Sequence, residues 1–195
     1  MKKRNFKFFL FAAIIAVMIL FNGCAVSQAP LPTPGYVDLE RFMGRWYVIG
    51  YTPILVDKEA HNAIEHYRLD EASKIQTTYQ FRDGGFDGEL KTFTPVGWVY
   101  DQESNAEWRM QFIWPFSADY IVLHVDANYS EAVIAHPNRR YAWIMSRSPE
   151  MDTGSYDRLL TKLEAVGYDL SVVKRLPQDW NCEAERLKQL QADGL

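Results

Sequence analysis

Asp38-Leu39-Glu40-Arg41-Phe42-Met43-Gly44-Arg45-Trp46-Tyr47-Val48-Ile49 is the stretch on which the fold turns. It reads as one helical turn, a glycine, and a tryptophan that opens a strand. Gly44 permits the tight bend between them. Trp46 brings a large apolar ring to the start of the strand, where it can plug one end of a sheet structure.

From Trp46 onward apolar and polar side chains alternate, and turn residues recur at short intervals. Strands are expected over 46–52, 62–69, 74–81, 90–100, 107–114, 119–126, 131–136 and 140–147. Pro95 and Gly97 break or bulge the fourth, which leaves open whether Trp98 or Val99 points inward. Sequential strands with short connections predict an all-β fold. The expected form is an eight-stranded antiparallel up-and-down β-barrel, a size that can enclose one small ligand. A helix follows, capped by Asp152 or Thr153 and ended by Gly167. Tyr156, Leu159, Leu160, Leu163 and Val166 give it one apolar stripe, which should cover the outside of the barrel. Residues 171–175 are a candidate extra strand. Residues 181–192 read as a weaker helix, either packed on the domain or kept for a partner.

The N-terminus is a targeting segment. Lys2, Lys3, Arg4 and Lys7 precede an apolar run from Phe8 to Phe21, which is short for a membrane span. Asn22-Gly23-Cys24 then resembles a bacterial lipoprotein cleavage site. Leu20 stands one place further from the cysteine than usual. Cleavage after Gly23 would leave Cys24 to carry acyl chains, and Ala25 in place of aspartate points to the outer membrane. An ordinary secretory signal and an uncleaved anchor are the alternatives. The expected organisation is a signal peptide over 1–23, then the lipidated Cys24 and a tether with Pro30, Pro32 and Pro34 over 24–35. The barrel and helix take 36–176, and a partly helical tail takes 177–195.

The 195 residues suffice for one domain, and 14% aromatic content suits a ring-lined cavity. The formal charge is −4, and residues 1–23 contribute four basic groups and no acidic ones, so cleavage takes it to −8. Such a body presents no basic field to nucleic acid or to anionic lipid. Cys24 and Cys182 are the only cysteines. No zinc spacing exists, and they could pair with each other only if Cys24 is not acylated. No metal site and no cofactor are expected.

The order of Gly44-x-Trp46, eight strands, Asp126-x-x-Tyr129 after the sixth strand, Arg147 at the end of the eighth, and a helix resembles the lipocalin family. The likeness runs from Asp38 to about Arg175 and is greatest to the family's bacterial outer-membrane lipoproteins. Tyr141-Ala142-Trp143-Ile144-Met145-Ser146-Arg147 is its most specific piece, with Gly44-Arg45-Trp46-Tyr47 and Trp114-Pro115-Phe116 in support. Val125 departs from the threonine of many members. The resemblance implies that Trp46 lies across the closed end of the barrel with Arg147 packed on it, a cation–π contact of about 0.5–2 kcal/mol. Gly44, Trp46 and Arg147 are therefore structural residues.

Alternation from Trp46 and Arg147 assigns the inward side chains. Val48 and Gly50 face in on the first strand, and Tyr141, Trp143 and Met145 on the eighth. The resemblance adds Glu65 and Tyr67, then Ile75, Thr77 and Tyr79. A ladder of Trp108, Met110, Phe112 and Trp114 follows, then Tyr120, Val122 and His124, then Ile134. Ligand contacts are expected from Val48, Glu65, Tyr67, Thr77, Tyr79, Met110, Phe112, Trp114, Tyr120, Val122, His124, Ile134, Tyr141 and Trp143. The loop from Pro53 to Ala60 should overhang the mouth. Glu65 and His124 either meet a ligand head group or are satisfied by neighbours such as a tyrosine hydroxyl.

No nucleophile elbow surrounds Ser146 or Ser148, and His61 and His66 fall on opposite faces of a strand. The expected function is lipid binding for storage or transport, with a fatty acid or lysophospholipid in the barrel and Cys24 in the outer membrane. The role would lie in envelope maintenance or stress. The alternative is a lipocalin-fold enzyme acting on a hydrophobic substrate, which would need an acid/base pair or reactive cysteine inside the barrel. An envelope lipoprotein with an occluded barrel is a third, weaker option. A homodimer is compatible with the resemblance.

Overall fold

The computed structural model describes residues 29–195. The expected signal peptide and the expected lipidation site Cys24 lie outside the described residues. The opening turn is helix α1 (Leu39–Phe42), capped by Asp38, whose carboxylate accepts from the Arg41 amide. Gly44 then adopts φ +89, a left-handed backbone that favours glycine.

Strands β1 (Gly44–Tyr51), β2 (Ala60–Leu69) and β3 (Ile75–Asp83) follow. The expected fourth strand is split into β4 (Glu89–Phe93) and β5 (Val96–Val99) around Pro95, which has no amide hydrogen for the ladder. Both halves pair with β3 in one continuous register, Tyr79 opposite Phe93 and Ile75 opposite Gly97. Alternation therefore runs through the break. Val99 packs inward, and Trp98 lies outside beneath Lys74 at 5.0 Å. Next come β6 (Glu107–Ile113), β7 (Phe116–Val125), β8 (Glu131–Ala135) and β9 (Ala142–Ser146). β9 pairs back on β1, which closes the barrel. A two-residue strand β10 (Lys174–Arg175) flanks β1.

Helix α2 (Thr153–Ala165) is capped by the Asp152 carboxylate and followed by Gly167 at φ +92. Its buried Tyr156, Leu159 and Leu163 cover Ile49, Ile121, Val133 and Ile144 on the outer face of the barrel. Helix α3 (Ala184–Ala192) ends the chain. It belongs to a tail packed on the domain: Glu183 bonds Arg82 through both carboxylate oxygens at 3.0 Å, and Asn62 Nδ2 donates to the Asp179 carbonyl at 2.6 Å. Among the described residues no helix is long and apolar enough to cross a membrane.

Four bulges interrupt the alternation read from the sequence, three of them outside the β6–β7 hairpin. In β1 the register against β9 slips at Ile49, so Gly50 faces outward. A Cβ there would lie 2.7 Å from the Tyr156 hydroxyl of α2, so only glycine fits. In β7 the register slips at Leu123, and His124 stands opposite Val133 of the outer layer. His124 is therefore beside the helix, where Lys162 and Arg158 act on it, and not inside the barrel. The third bulge, in β2, places Asn62 at φ 48 under the tail.

Candidate functional site

The closed half of the barrel is filled. Trp46, Phe42, Trp108 and Tyr67 are fully buried there, with rings 5.1–5.9 Å apart. Trp46 Nε1 donates to the Phe42 carbonyl at 2.8 Å, which ties the plug to α1. Val122 and Ile134 belong to the same cluster, and Val48 to a neighbouring one. These three expected ligand contacts, together with Tyr67, face inward but serve as packing below the cavity.

Above this plug lies a cavity of roughly 430 Å³, within the range of small-molecule sites. It brings together eight expected residues: Glu65, Thr77, Tyr79, Met110, Phe112, Tyr120, Tyr141 and Trp143. Met110 and Tyr120 also belong to the plug, so they form the floor. Tyr120 stacks on Trp108 below at 5.4 Å and on Trp143 at 6.1 Å. Trp114 is not part of the lining. The end of β6 bulges against β7, and Trp114 sits at the hairpin tip, 81% exposed. Phe112 lines the cavity from the rim and is itself 55% exposed.

The lining also contains residues that alternation alone did not reveal. Ile54, Leu55, Val56 and Asp57 come from the β1–β2 loop, which does overhang the mouth. Phe93 and Pro95 follow from the unbroken register of β4 and β5. Asp119 and His136 stand toward the open end. Asp57 was invisible as a loop carboxylate. It is buried, accepting from the Ile54 amide at 2.8 Å and the Tyr79 hydroxyl at 3.1 Å, so it pins the loop over the cavity. Burial raises its pKa against those hydrogen bonds.

Glu65 is satisfied by tyrosines. Its Oε2 accepts from the Tyr67 hydroxyl and, at 3.3 Å, from Tyr120, and the two hydroxyls lie 2.5 Å apart. Burial pushes the carboxyl up to about 8, opposed by the Tyr120 hydrogen bond, so at neutral pH it is mostly a neutral acid. The Thr77 hydroxyl beside it has no partner. The floor is thus a mainly neutral polar spot under apolar walls. Burial lowers the pKa of His136, which is mostly neutral at pH 7. Asp119 pairs with Arg109 at 3.0 Å. Among the described residues no group of three or more potential ligands could hold a metal ion. Cys182 is exposed in the tail, away from the barrel interior.

Residues 37–178 match the family described as a lipocalin-like domain. Temperature-induced lipocalin-1 of Arabidopsis thaliana is 31% identical over 153 residues, 73% of this chain and 80% of that protein. Outer membrane lipoprotein Blc of Escherichia coli (strain K12) is 27% identical over 171 residues, 82% of this chain and 90% of that protein. The Vibrio cholerae protein of the same name is 24% identical over 168 residues, covering 80% and 91%. Among solved structures, the allergen Per a 4 from cockroaches shares the fold with a TM-score of 0.59 at 18% identity, covering 80% of this chain and 99% of that one. Lobster apocrustacyanin A1 does so with a TM-score of 0.58 at 15% identity, covering 76% and 91%.

Proposed function

The chain belongs to the lipocalin family, and on that premise we propose that its cavity holds the acyl chain of a fatty acid or lysophospholipid, while an acylated Cys24 keeps the protein at the outer membrane. What supports the cavity reading is one geometric fact: the aromatic plug stops at Tyr120 and Met110 and leaves roughly 430 Å³ above it, walled mainly by apolar side chains. An acyl chain fits such walls, and its burial is favourable by about 0.8 kcal/mol per methylene. The head group stays at the mouth, near His136 and Tyr141, where it keeps its water. A fatty-acid carboxylate at the buried floor would lose its water without gaining a cation, so a free fatty acid enters tail first.

The anchoring part of the proposal is supported by the Asn22-Gly23-Cys24 sequence and by relatives named as outer membrane lipoproteins. Storage or transport of envelope lipids is the role that joins the two parts. The enzyme alternative would need an acid/base pair in the barrel, and the buried Glu65 already accepts from the Tyr67 and Tyr120 hydroxyls, which suits a satisfied structural acid.

Titration of the protein lacking residues 1–24 with lysophospholipid or long-chain fatty acid tests the cavity. Its tryptophan emission should fall saturably, near one ligand per chain, because Trp143 lies in the wall. No saturable change with any acyl chain would refute lipid binding. Mass spectrometry of the intact protein from cells should show a mass that corresponds to acylated Cys24 and the loss of residues 1–23.

A further inference from the structure

The open end of the barrel carries exposed apolar side chains on all four of its loops. Leu55 and Val56 project from the β1–β2 loop at 83% and 48% exposure, and Phe86 from the β3–β4 loop. Ile113, Trp114 and Phe116 crown the β6–β7 hairpin at 74–81% exposure. Tyr141 adds a ring from the β8–β9 loop. At the closed end, among the described residues, only Tyr36 and Tyr100 are comparably exposed, and Arg109 stacks on Tyr100 at 3.9 Å. A concentrated apolar rim on a soluble body marks a contact surface.

The chain's own N-terminus says what that surface meets. The Ala29 carbonyl accepts a hydrogen bond from Arg139, in the β8–β9 loop at the mouth. Leu31 is buried beneath α2, so the tether is fastened along the barrel wall and leaves it at the open end. Cys24 lies five residues before Ala29, a span of at most roughly 17 Å. Membrane attachment, by acyl chains on Cys24 or by the apolar run before it, is therefore held next to the mouth. The charges that the mouth shows to solvent cancel in number: Lys58 offsets Glu59, Arg139 and Arg140 offset Asp83 and Asp87, and Lys91 pairs with Glu89. Contact must come from apolar insertion and not from attraction to anionic lipid.

We propose that the open rim docks on the lipid bilayer to which the chain is tethered, with Leu55, Ile113, Trp114 and Phe116 among the head groups, so that the cavity opens onto the membrane and not onto water. Tryptophan at a hairpin tip suits that interfacial depth. The proposal rests on the membrane attachment inferred above but not on the identity of the cavity's ligand. A lipid could then pass between bilayer and barrel without crossing solvent.

The test uses the full lipidated chain in phosphatidylcholine vesicles, with and without bromine on the acyl chains. The difference between wild type and Trp114→Phe isolates the emission of Trp114, so quenching of Trp143 by a chain in the cavity does not enter. Brominated lipid should remove about half or more of that difference signal, and high salt should not restore it. Leu55→Asp with Ile113→Asp should reduce the quenching several-fold. Trp114 emission that is the same in both vesicles overturns the proposal, as does failure of the chain to float with the vesicles. Trp114 shielded from an aqueous quencher but untouched by bromine would mean a second copy covers the rim, which also overturns it. Failure of the cavity reading is distinct: lysophospholipid gives no saturable response while Trp114 remains quenched.

Discussion

The guanidinium of Arg147 lies 3.8 Å from the centre of the Trp46 ring, joining the end of the last barrel strand to the start of the first. Arg147 also donates to the carbonyls of Arg41, Met43 and Arg45 at 2.6–2.8 Å, so it caps the C-terminus of α1 as well. Arg147→Ala should cost about 2–4 kcal/mol, from the lost stacking and from carbonyls left without a donor. Arg147→Lys should recover only part, because an ammonium lacks the planar fork. Urea unfolding measures both. Lipid affinity per folded molecule should stay unchanged, since the contact is at the far end from the cavity.

Trp143 is half-buried, stacks on Tyr120, packs beside the cluster of Val48, Tyr51 and Tyr79, and lines the cavity. Trp143→Ala should weaken lysophospholipid binding by about tenfold or more, or roughly 1.4 kcal/mol. Stability should fall by less, since the ring is only half-buried and part of it borders the cavity. Isothermal calorimetry and urea unfolding give the two numbers, and equal losses would show a filled core and no site.

Glu65 makes stability depend on pH. Its folded pKa of about 8 lies above the ordinary 4.5, so between these values the folded chain keeps a proton that the unfolded chain has released. Stability is then full below about pH 4.5 as far as this group is concerned, and falls as pH rises toward 8. A tenfold change in proton affinity is worth about 1.4 kcal/mol, giving a loss of a few kcal/mol across the window. The pKa of Asp57 is raised in the same direction and adds to the slope. Glu65→Gln should flatten much of it, as read from urea midpoints at several pH values.

Glu183 is nearly buried and holds Arg82 and Arg186, the latter itself buried under Trp180. Burial raises its pKa, but the hydrogen bonds from Arg82 and Asn62 and the charge of Arg186 outweigh this and hold it low. Glu183→Ala would strand a buried guanidinium and should cost about 3 kcal/mol. It should also raise proteolysis of the tail after Pro177. Unchanged stability would show that the tail is only loosely attached.

Much of the barrel was legible because strand alternation has a fixed period and the core punishes its violation. Strand positions and a cap of α2 at Asp152 or Thr153 follow from residue types in order, and the family resemblance implied the Trp46–Arg147 pairing. Eight of the fourteen expected ligand residues do line the cavity. The errors have local causes. His124 was carried outside by a bulge that inserts one residue into β7, which a strict period of two cannot register. Trp114 was read as the top rung of a ladder, but the strand turns there and the ring projects beyond the cavity. Val48, Tyr67, Val122 and Ile134 have the right parity, yet lie below the level where side chains stop filling the interior.

The family resemblance implied the arginine that packs on the plug, while residue order and type were enough to specify the container: a tryptophan plug, eight alternating strands and a covering helix. Each rests on short-range physics, namely backbone freedom at Gly44, side-chain period and helix capping. The depth of the cavity, the tyrosine partners of Glu65, the burial of Asp57 and the exit of the tether beside the mouth depend on contacts between residues 22 to 110 positions apart. Such contacts appear when the sheet curls shut, because closure brings strands distant in sequence to a common axis and leaves space where their side chains do not meet.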